Sequence, residues 1–184
     1  MQRWQSRTGV QPSLLMCGDF NSTPNSPLHQ LITSGQLNYK GIAAKQVSGQ
    51  ESHGGVYREL PPILLPQCLF INGNCTYASE KKAINAINYE LSHCLGVIKS
   101  SNEPHTLEEA TTMQNNGATV DYIFYSENNR PEGANVSQRI VNLELQGCLS
   151  HISAKDIGKI GGIPNVYHSS DHMPVVAQFR VTVK

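Results

Sequence analysis

The sequence predicts an α/β domain, and three observations carry that prediction. Short runs rich in β-branched, aromatic and other apolar residues stand at 13–17, 120–125, 136–145 and 172–183, a length and make-up that suit strands better than helices. The first run leads at once into a polar turn and a helix-start signal. At 184 residues the chain is long enough for one domain with a substantial core, whereas two domains would each be small. Residues 1–184 are therefore read as a single domain. Hydrophobic residues make up 39% and charged residues 15%, with fifteen Gly and ten Pro, the composition of a loop-rich globular chain and not of a disordered one.

The first strand, SLLMC at 13–17, is bounded by Gln11-Pro12 and Gly18-Asp19 and reads as fully buried. Ser26-Pro27 supplies an N-cap and a proline at the first helical position, and Leu28, Leu31 and Ile32 continue at helical spacing to Gly35. Residues 38–74, broken by SGQESHGG and LPPILLP, read as a long excursion with short extended pieces. In 79–95, SEKKAINAINYELSHCL, the spacing of Ile84, Ile87, Leu91 and Leu95 predicts an amphipathic helix capped by Ser79. Residues 96–117 read as loop. VDYIFY at 120–125 is a buried strand, VSQRIVNLEL at 136–145 alternates as a second, and HMPVVAQFRVTV at 172–183 forms a third, with His172 at its start. No internal repeat or low-complexity tract is present.

Bulk properties narrow the function. Fourteen basic and fourteen acidic side chains cancel, so no basic field is available for long stretches of nucleic acid, although engaging one phosphate through a metal needs none. No apolar run approaches the roughly 20 residues that span a bilayer, and MQRWQSRTGV lacks the apolar core of a signal peptide. The expectation is a chain that partners no membrane. Cys17, Cys68, Cys75, Cys94 and Cys148 are odd in number and irregularly spaced, which suits reduced thiols in the cytoplasm or nucleus.

Asp19/Asn21, Asp121 and Asp171-His172 stand at the ends of apolar strands. Carboxylates there cost desolvation energy unless they are paired or coordinated. Turn and cap chemistry explains Asp19 or Asn21 taken singly, and a strand-edge role explains Asp121. A zinc site built from Cys148, His151, His93 and Cys94 lacks any C-x-x-C pair. A Ser-His-Asp hydrolase lacks a G-x-S-x-G elbow. His29, His53 and His105 lie in loop or helix text and read as solvated.

Taken in order, GDFNSTP, TVDYIFYS and SSDHMPV resemble the C-terminal half of the endonuclease/exonuclease/phosphatase superfamily of magnesium-dependent phosphodiesterases. The longer phrases GDFNSTPNSPLHQLITSGQLNYKG, VSGQE, ATVDYIFYS and GIPNVYHSSDHMPVVAQFRV are similar to the Angel proteins, relatives of the deadenylases. The resemblance implies the C-terminal half of a DNase-like, four-layered α/β sandwich with a mixed sheet and flanking helices. It implies a Mg2+-dependent phosphoester hydrolase acting on RNA, either at 2′,3′-cyclic phosphate ends or by 3′-to-5′ shortening of poly(A). Asp19 would activate water or hold a metal, and Asn21 and His172 would contact phosphate oxygens or the metal. Asp121 would orient His172, and Asp171 would be a further metal-facing carboxylate. The family's principal metal-binding glutamate belongs to the N-terminal half, and Gln50-Glu51, in a Ser/Gly loop, does not replace it. The chain is therefore expected to be a truncated product needing that half as a partner, weakly active alone. The competing expectation is a non-catalytic half-domain that binds RNA or protein.

Overall fold

The computed structural model describes residues 7–49, 59, 89–93, 95–102, 109–113, 117–127 and 139–183. The order is β1 (Val10–Gln11), β2 (Leu15–Asp19), α1 (Pro27–Ser34), β3 (Gln36–Asn38), β4 (Glu90–Ser92), β5 (Ile98–Ser100), β6 (Asp121–Ser126), β7 (Arg139–Cys148), α2 (Ala154–Lys159) and β8 (Ala177–Val183).

The predicted strand at 120–125 becomes β6, the centre of a sheet ordered β2-β6-β5 in which both pairings are antiparallel. Alternation along β6 divides its side chains between two faces. Tyr122 and Phe124 point one way and stack with ring centroids 4.9 Å apart. Phe20 meets Phe124 edge-on at 4.9 Å, and Ile98, Leu14, Met16, Ile32 and Leu95 complete this core. Helix α1 covers it. Its predicted caps are as expected: Ser26 accepts from the His29 N–H and Gly35 takes the left-handed conformation. The opposite face of β6 turns toward a second sheet, ordered β1-β7-β8, where Tyr125 packs edge-on against Phe179 at 5.1 Å.

The structure corrects several expectations. The first strand is not fully buried: Leu14 and Met16 join the core, but Leu15 is 48% exposed and Cys17 is exposed, because only one face of β2 is covered. Residues 90–92 of the predicted helix at 79–95 form β4 and pair with β3, Leu91 opposite Leu37; Ser79, Ile84 and Ile87 lie outside the described residues. Part of the supposed loop at 96–117 is β5, whose Ile98 is buried at the sheet edge. The third strand begins at Ala177, not His172, since Pro174 has no N–H to give a ladder and His172 makes only an isolated bridge to Thr112. Strand β7 runs on to Cys148 with an irregularity between Leu145 and Gly147. His29 is buried, its ring 5.3 Å from Tyr122 and 5.6 Å from Phe124, because its place on α1 aims it into the core. His53 and His105 lie outside the described residues.

Tyr122 fixes the turn after β2. Its buried hydroxyl lies 2.9 Å from the Ser22 carbonyl and 3.0 Å from that of Thr119. Burial, together with the charge of Asp121, holds the phenol far above its ordinary range, so it remains a donor. Replacing it by Phe keeps the ring packing and removes that donor. Tyr122→Phe is expected to lower stability by about 1–2 kcal/mol in urea denaturation, with the folded secondary structure unchanged by circular dichroism.

Candidate active site

The site grows out of the β2–β6 register, which sets Asp19 directly opposite Asp121. Like charges facing each other across an antiparallel pair are unfavourable unless something neutralises them. The neutralising group is present. His172 Nδ1 lies 2.8 Å from Asp121 Oδ2, with the two side chains 31% and 18% exposed. An ionised carboxylate can only accept, so Nδ1 carries the shared proton and Nε2 is left to face a ligand. Ligating atoms of Asp19, Asp121 and His172 all lie within 4.8 Å of one another.

Asp19 also performs the turn chemistry open to it. Its Oδ1 accepts the Asn21 N–H at 2.7 Å, and Asn21 adopts φ 48°, a left-handed conformation that Asn tolerates better than most residues. Turn formation and chemistry are thus not alternatives here: one oxygen builds the turn while the carboxylate stays exposed beside the Asp121–His172 pair. Asn21 is exposed at the same rim.

A segment that sequence reasoning passed over ties the pieces together. Thr111, fully buried, accepts from the N–H groups of Val120 at 2.9 Å and Asp121 at 3.0 Å through its hydroxyl. Its carbonyl accepts from Met173 N–H at 2.7 Å, while Met113 N–H donates to the Asp171 carbonyl at 3.0 Å. One short stretch therefore holds both the strand carrying Asp121 and the loop carrying His172. Asn102, also buried, donates to the Asp121 carbonyl at 2.8 Å and accepts from Ile123 N–H at 3.3 Å. The missed signal was the pair ATT and ATV flanking Asn115-Asn116-Gly117, a hairpin-turn pattern.

Asp171 is half-buried and contributes charge at His172. Its place in the site rests on that charge and on the backbone bond to Met113, since its carboxylate is not among the converging ligand atoms. The proposed zinc set does not assemble among the described residues: His93 Nε2 bonds the Ile32 carbonyl at 2.9 Å, Cys148 is exposed on β7, and the one metal-capable group there is Asp19, Asp121 and His172. Cys94 and Glu51 lie outside the described residues.

No family model matches the chain. Over 204 residues it is 35% identical to mouse protein angel homolog 2, a match covering 95% of this chain and 38% of that relative. The crystal structure of ANGEL2, a 2′,3′-cyclic phosphatase, matches with TM-score 0.66 at 34% identity, over 95% of this chain and 48% of that one. Close homologues of the chain are Angel proteins. Angel proteins are related to the CCR4-Not complex 3′-5′-exoribonuclease subunit Ccr4; that of Phaeosphaeria nodorum is 26% identical over 94% of this chain and 21% of its own length. The DNase-like α/β fold of the endonuclease/exonuclease/phosphatase superfamily follows from the ANGEL2 match, and the chain's homologues are enzymes, ANGEL2 a cyclic phosphatase and Ccr4 an exoribonuclease. ANGEL2 in complex with adenosine-2′,3′-vanadate matches equally well, with TM-score 0.65. The chain spans about half the length of that solved Angel structure, 48%.

The hydrogen bond to Asp121, set against partial desolvation and helped by the charges of Asp121, Asp171 and Asp19, raises the His172 pKa above its ordinary value. A raised folded-state pKa contributes stability that is full below about pH 6.5 and is lost as pH climbs through the elevated value. In metal-free protein, His172 ring signals followed by NMR should titrate above the ordinary imidazole range. In Asp121→Asn that midpoint should fall back toward about 6.5.

Proposed function

We propose that this chain is one half of a metal-dependent phosphoester hydrolase domain acting on RNA ends, with a 2′,3′-cyclic phosphate as the group attacked. The observation carrying the proposal is the Asp121–His172 pair held opposite the Asp19 turn, in a chain 34% identical to a structure that binds adenosine-2′,3′-vanadate. The exoribonuclease alternative draws on the more distant likeness to Ccr4.

Mg2+ takes oxygen ligands, commonly one or two carboxylates, with water and phosphate oxygens filling the rest. Asp19 and Asn21 fit as part of such a set: an exposed carboxylate and an exposed carboxamide on one turn. Asp171 and His172 stand next to it. Asp121 and His172 already use Oδ2 and Nδ1 on each other, so His172 has only Nε2 to offer. When bound, the ion supplies positive charge that stabilises the phosphoryl oxygens in the transition state.

The chain's own groups divide the remaining work. Asp19 accepts a hydrogen bond from the attacking water and orients its lone pair toward phosphorus. As the water oxygen bonds to phosphorus its proton passes to Asp19, and the bond from phosphorus to one ribose oxygen breaks. That oxygen takes a proton from solvent and Asp19 returns its own to solvent, so that one water has been added and a phosphomonoester is left. Asn21 donates to a non-bridging oxygen from one side and His172 Nε2–H from the other, where negative charge grows. Asp121 fixes the ring's orientation through Nδ1–H, and Asp171 adds negative charge that favours the protonated ring, whose Nε2–H can then donate.

The other half of the domain is proposed on packing grounds. Leu15 and Cys17 lie on the β2 face that pairs with Tyr125 and Ile123, the face turned to the second sheet, yet are exposed. On β8, Val181 and Val183 continue the face of Phe179 and are 61% and 65% exposed. Apolar inner faces left open in this way call for a further layer. Together the two halves would make one domain of the superfamily, and this chain its C-terminal portion. The exposed free thiols of Cys17 and Cys148 favour a reducing compartment, and we place the protein in the cytoplasm or nucleus.

Alone, the chain should bind Mg2+ too weakly for a micromolar Kd by calorimetry and should hydrolyse little RNA. Adding the separately expressed N-terminal part of an Angel relative should restore Mg2+-dependent opening of the cyclic phosphate to a phosphomonoester. Asp19→Ala should stay silent in the same assay, and Asp121→Asn should lose at least about 100-fold in kcat. Strong activity from the repurified chain alone would overturn the half-domain reading. Inactivity of the complemented pair on cyclic-phosphate ends, with RNA binding retained, would favour a non-catalytic module.

A further inference from the structure

Among the described residues, the most exposed large apolar side chains stand close to His172 in sequence. Tyr167 is 96% exposed and Val166 91%. They project from a loop whose backbone is braced at several points. Asn165 Oδ1 accepts the N–H groups of Tyr167 and His168, each at 2.9 Å, and its Nδ2 donates to the Gly162 carbonyl at 2.7 Å. The Asn165 N–H reaches the His168 carbonyl at 2.7 Å. Gly161 and Gly162, at φ 85° and 80°, take left-handed conformations that let the chain turn into this loop. Ser170 joins the tip to the site: its carbonyl lies 2.8 Å from His168 Nδ1, and its hydroxyl accepts the His172 N–H at 3.1 Å. A phenol ring is thus displayed to water on a fixed loop coupled to His172.

We infer that Tyr167 is a stacking platform for a nucleobase of the RNA end, so that the loop at 161–170 is part of the substrate site. The inference rests on the RNA-end reading above and deepens it. Fourteen basic and fourteen acidic residues cancel, so counterion release from a long phosphate backbone contributes little, and stacking is the means of adding affinity to the contacts at the terminal phosphate. Aromatic faces bind single-stranded nucleic acid through bases of any sequence. Tyr is suited to this, since its two side-chain torsions cost little to fix and its hydroxyl stays hydrated while the ring stacks. Five residues separate Tyr167 from His172, a reach of at most about 18 Å along the chain. That is within the span of a terminal nucleotide and its neighbour, so a base on Tyr167 and the terminal phosphate beside His172 belong to one RNA end.

The test compares the 184-residue chain with Tyr167→Ala and Tyr167→Trp. Two short, unstructured, 5′-fluorescent RNAs are used, both ending in a 2′,3′-cyclic phosphate, one with a normal terminal nucleotide and its neighbour and one with both bases removed. By fluorescence anisotropy, Tyr167→Ala should weaken binding of the normal RNA about tenfold and Tyr167→Trp should restore it. On the base-free RNA all three proteins should bind alike. In the complemented enzyme, Tyr167→Ala should raise KM about tenfold while kcat falls less than about twofold. Equal binding of the normal RNA by parent and Tyr167→Ala would overturn the inference, as would an equal loss on both RNAs, which would assign Tyr167 to the loop's own packing or to a protein contact. Failure of the complemented parent to hydrolyse either RNA would count against the hydrolase reading. The anisotropy comparison, which needs no hydrolysis, would still decide the stacking.

Discussion

The antiparallel register of β2 against β6 is the constraint on which the rest of the site depends. It sets Asp19 across from Asp121, and because side chains alternate along a strand, it also sends Tyr122 and Phe124 into the core beneath α1. A slip by one residue would exchange the two faces, exposing the aromatic core and burying the carboxylates. The buried rings therefore select the register, and the register delivers the charges. His172 then meets a carboxylate position already decided by hydrophobic packing, and answers the repulsion between Asp19 and Asp121 with a shared proton.

Where local chemistry decides structure, the sequence was legible. Ser26, Pro27 and Gly35 mark the helix ends through capping and backbone preference, and the helix lies between them. The apolar run at 120–125 is dense enough to be a central strand wherever it lands. Asp19, Asn21, Asp121 and His172 were visible as polar residues interrupting such runs, and the structure brings three of these four within metal-ligating distance of each other. The likeness to Angel proteins carried the grouping further than spacing alone.

Elsewhere tertiary contacts overrode local signals. Tyr89 to His93 read as the end of a helix from the spacing of Leu91 and Leu95, yet residues 90–92 extend along β3, where Leu91 faces Leu37 across the pair. His29 read as solvated because a histidine in helix text carries no mark of the face it will occupy. Thr111 was passed over because a threonine in a polar stretch gives no sign that its hydroxyl will serve two backbone N–H groups of a strand it does not belong to. Buried side-chain acceptors for backbone donors belong to the assembled fold, and only the turn-like Asn116-Gly117 hinted that this stretch would double back.

Thr111 also bears on the order in which the molecule acquires its parts. The hydroxyl of Tyr122 meets a carbonyl 100 residues away in sequence, and His172 meets Asp121 across 51. Closing such distances spends chain entropy before any contact rewards it, so each pairing depends on the rest of the fold to hold its ends together. Since the segment at 111–113 grips both the start of β6 and the loop before β8, neither carboxylate nor imidazole can reach its place in a partly folded chain. The geometry that joins Asp19, Asp121 and His172 is a property of the finished fold, and a nascent or damaged copy would lack it altogether rather than hold it loosely.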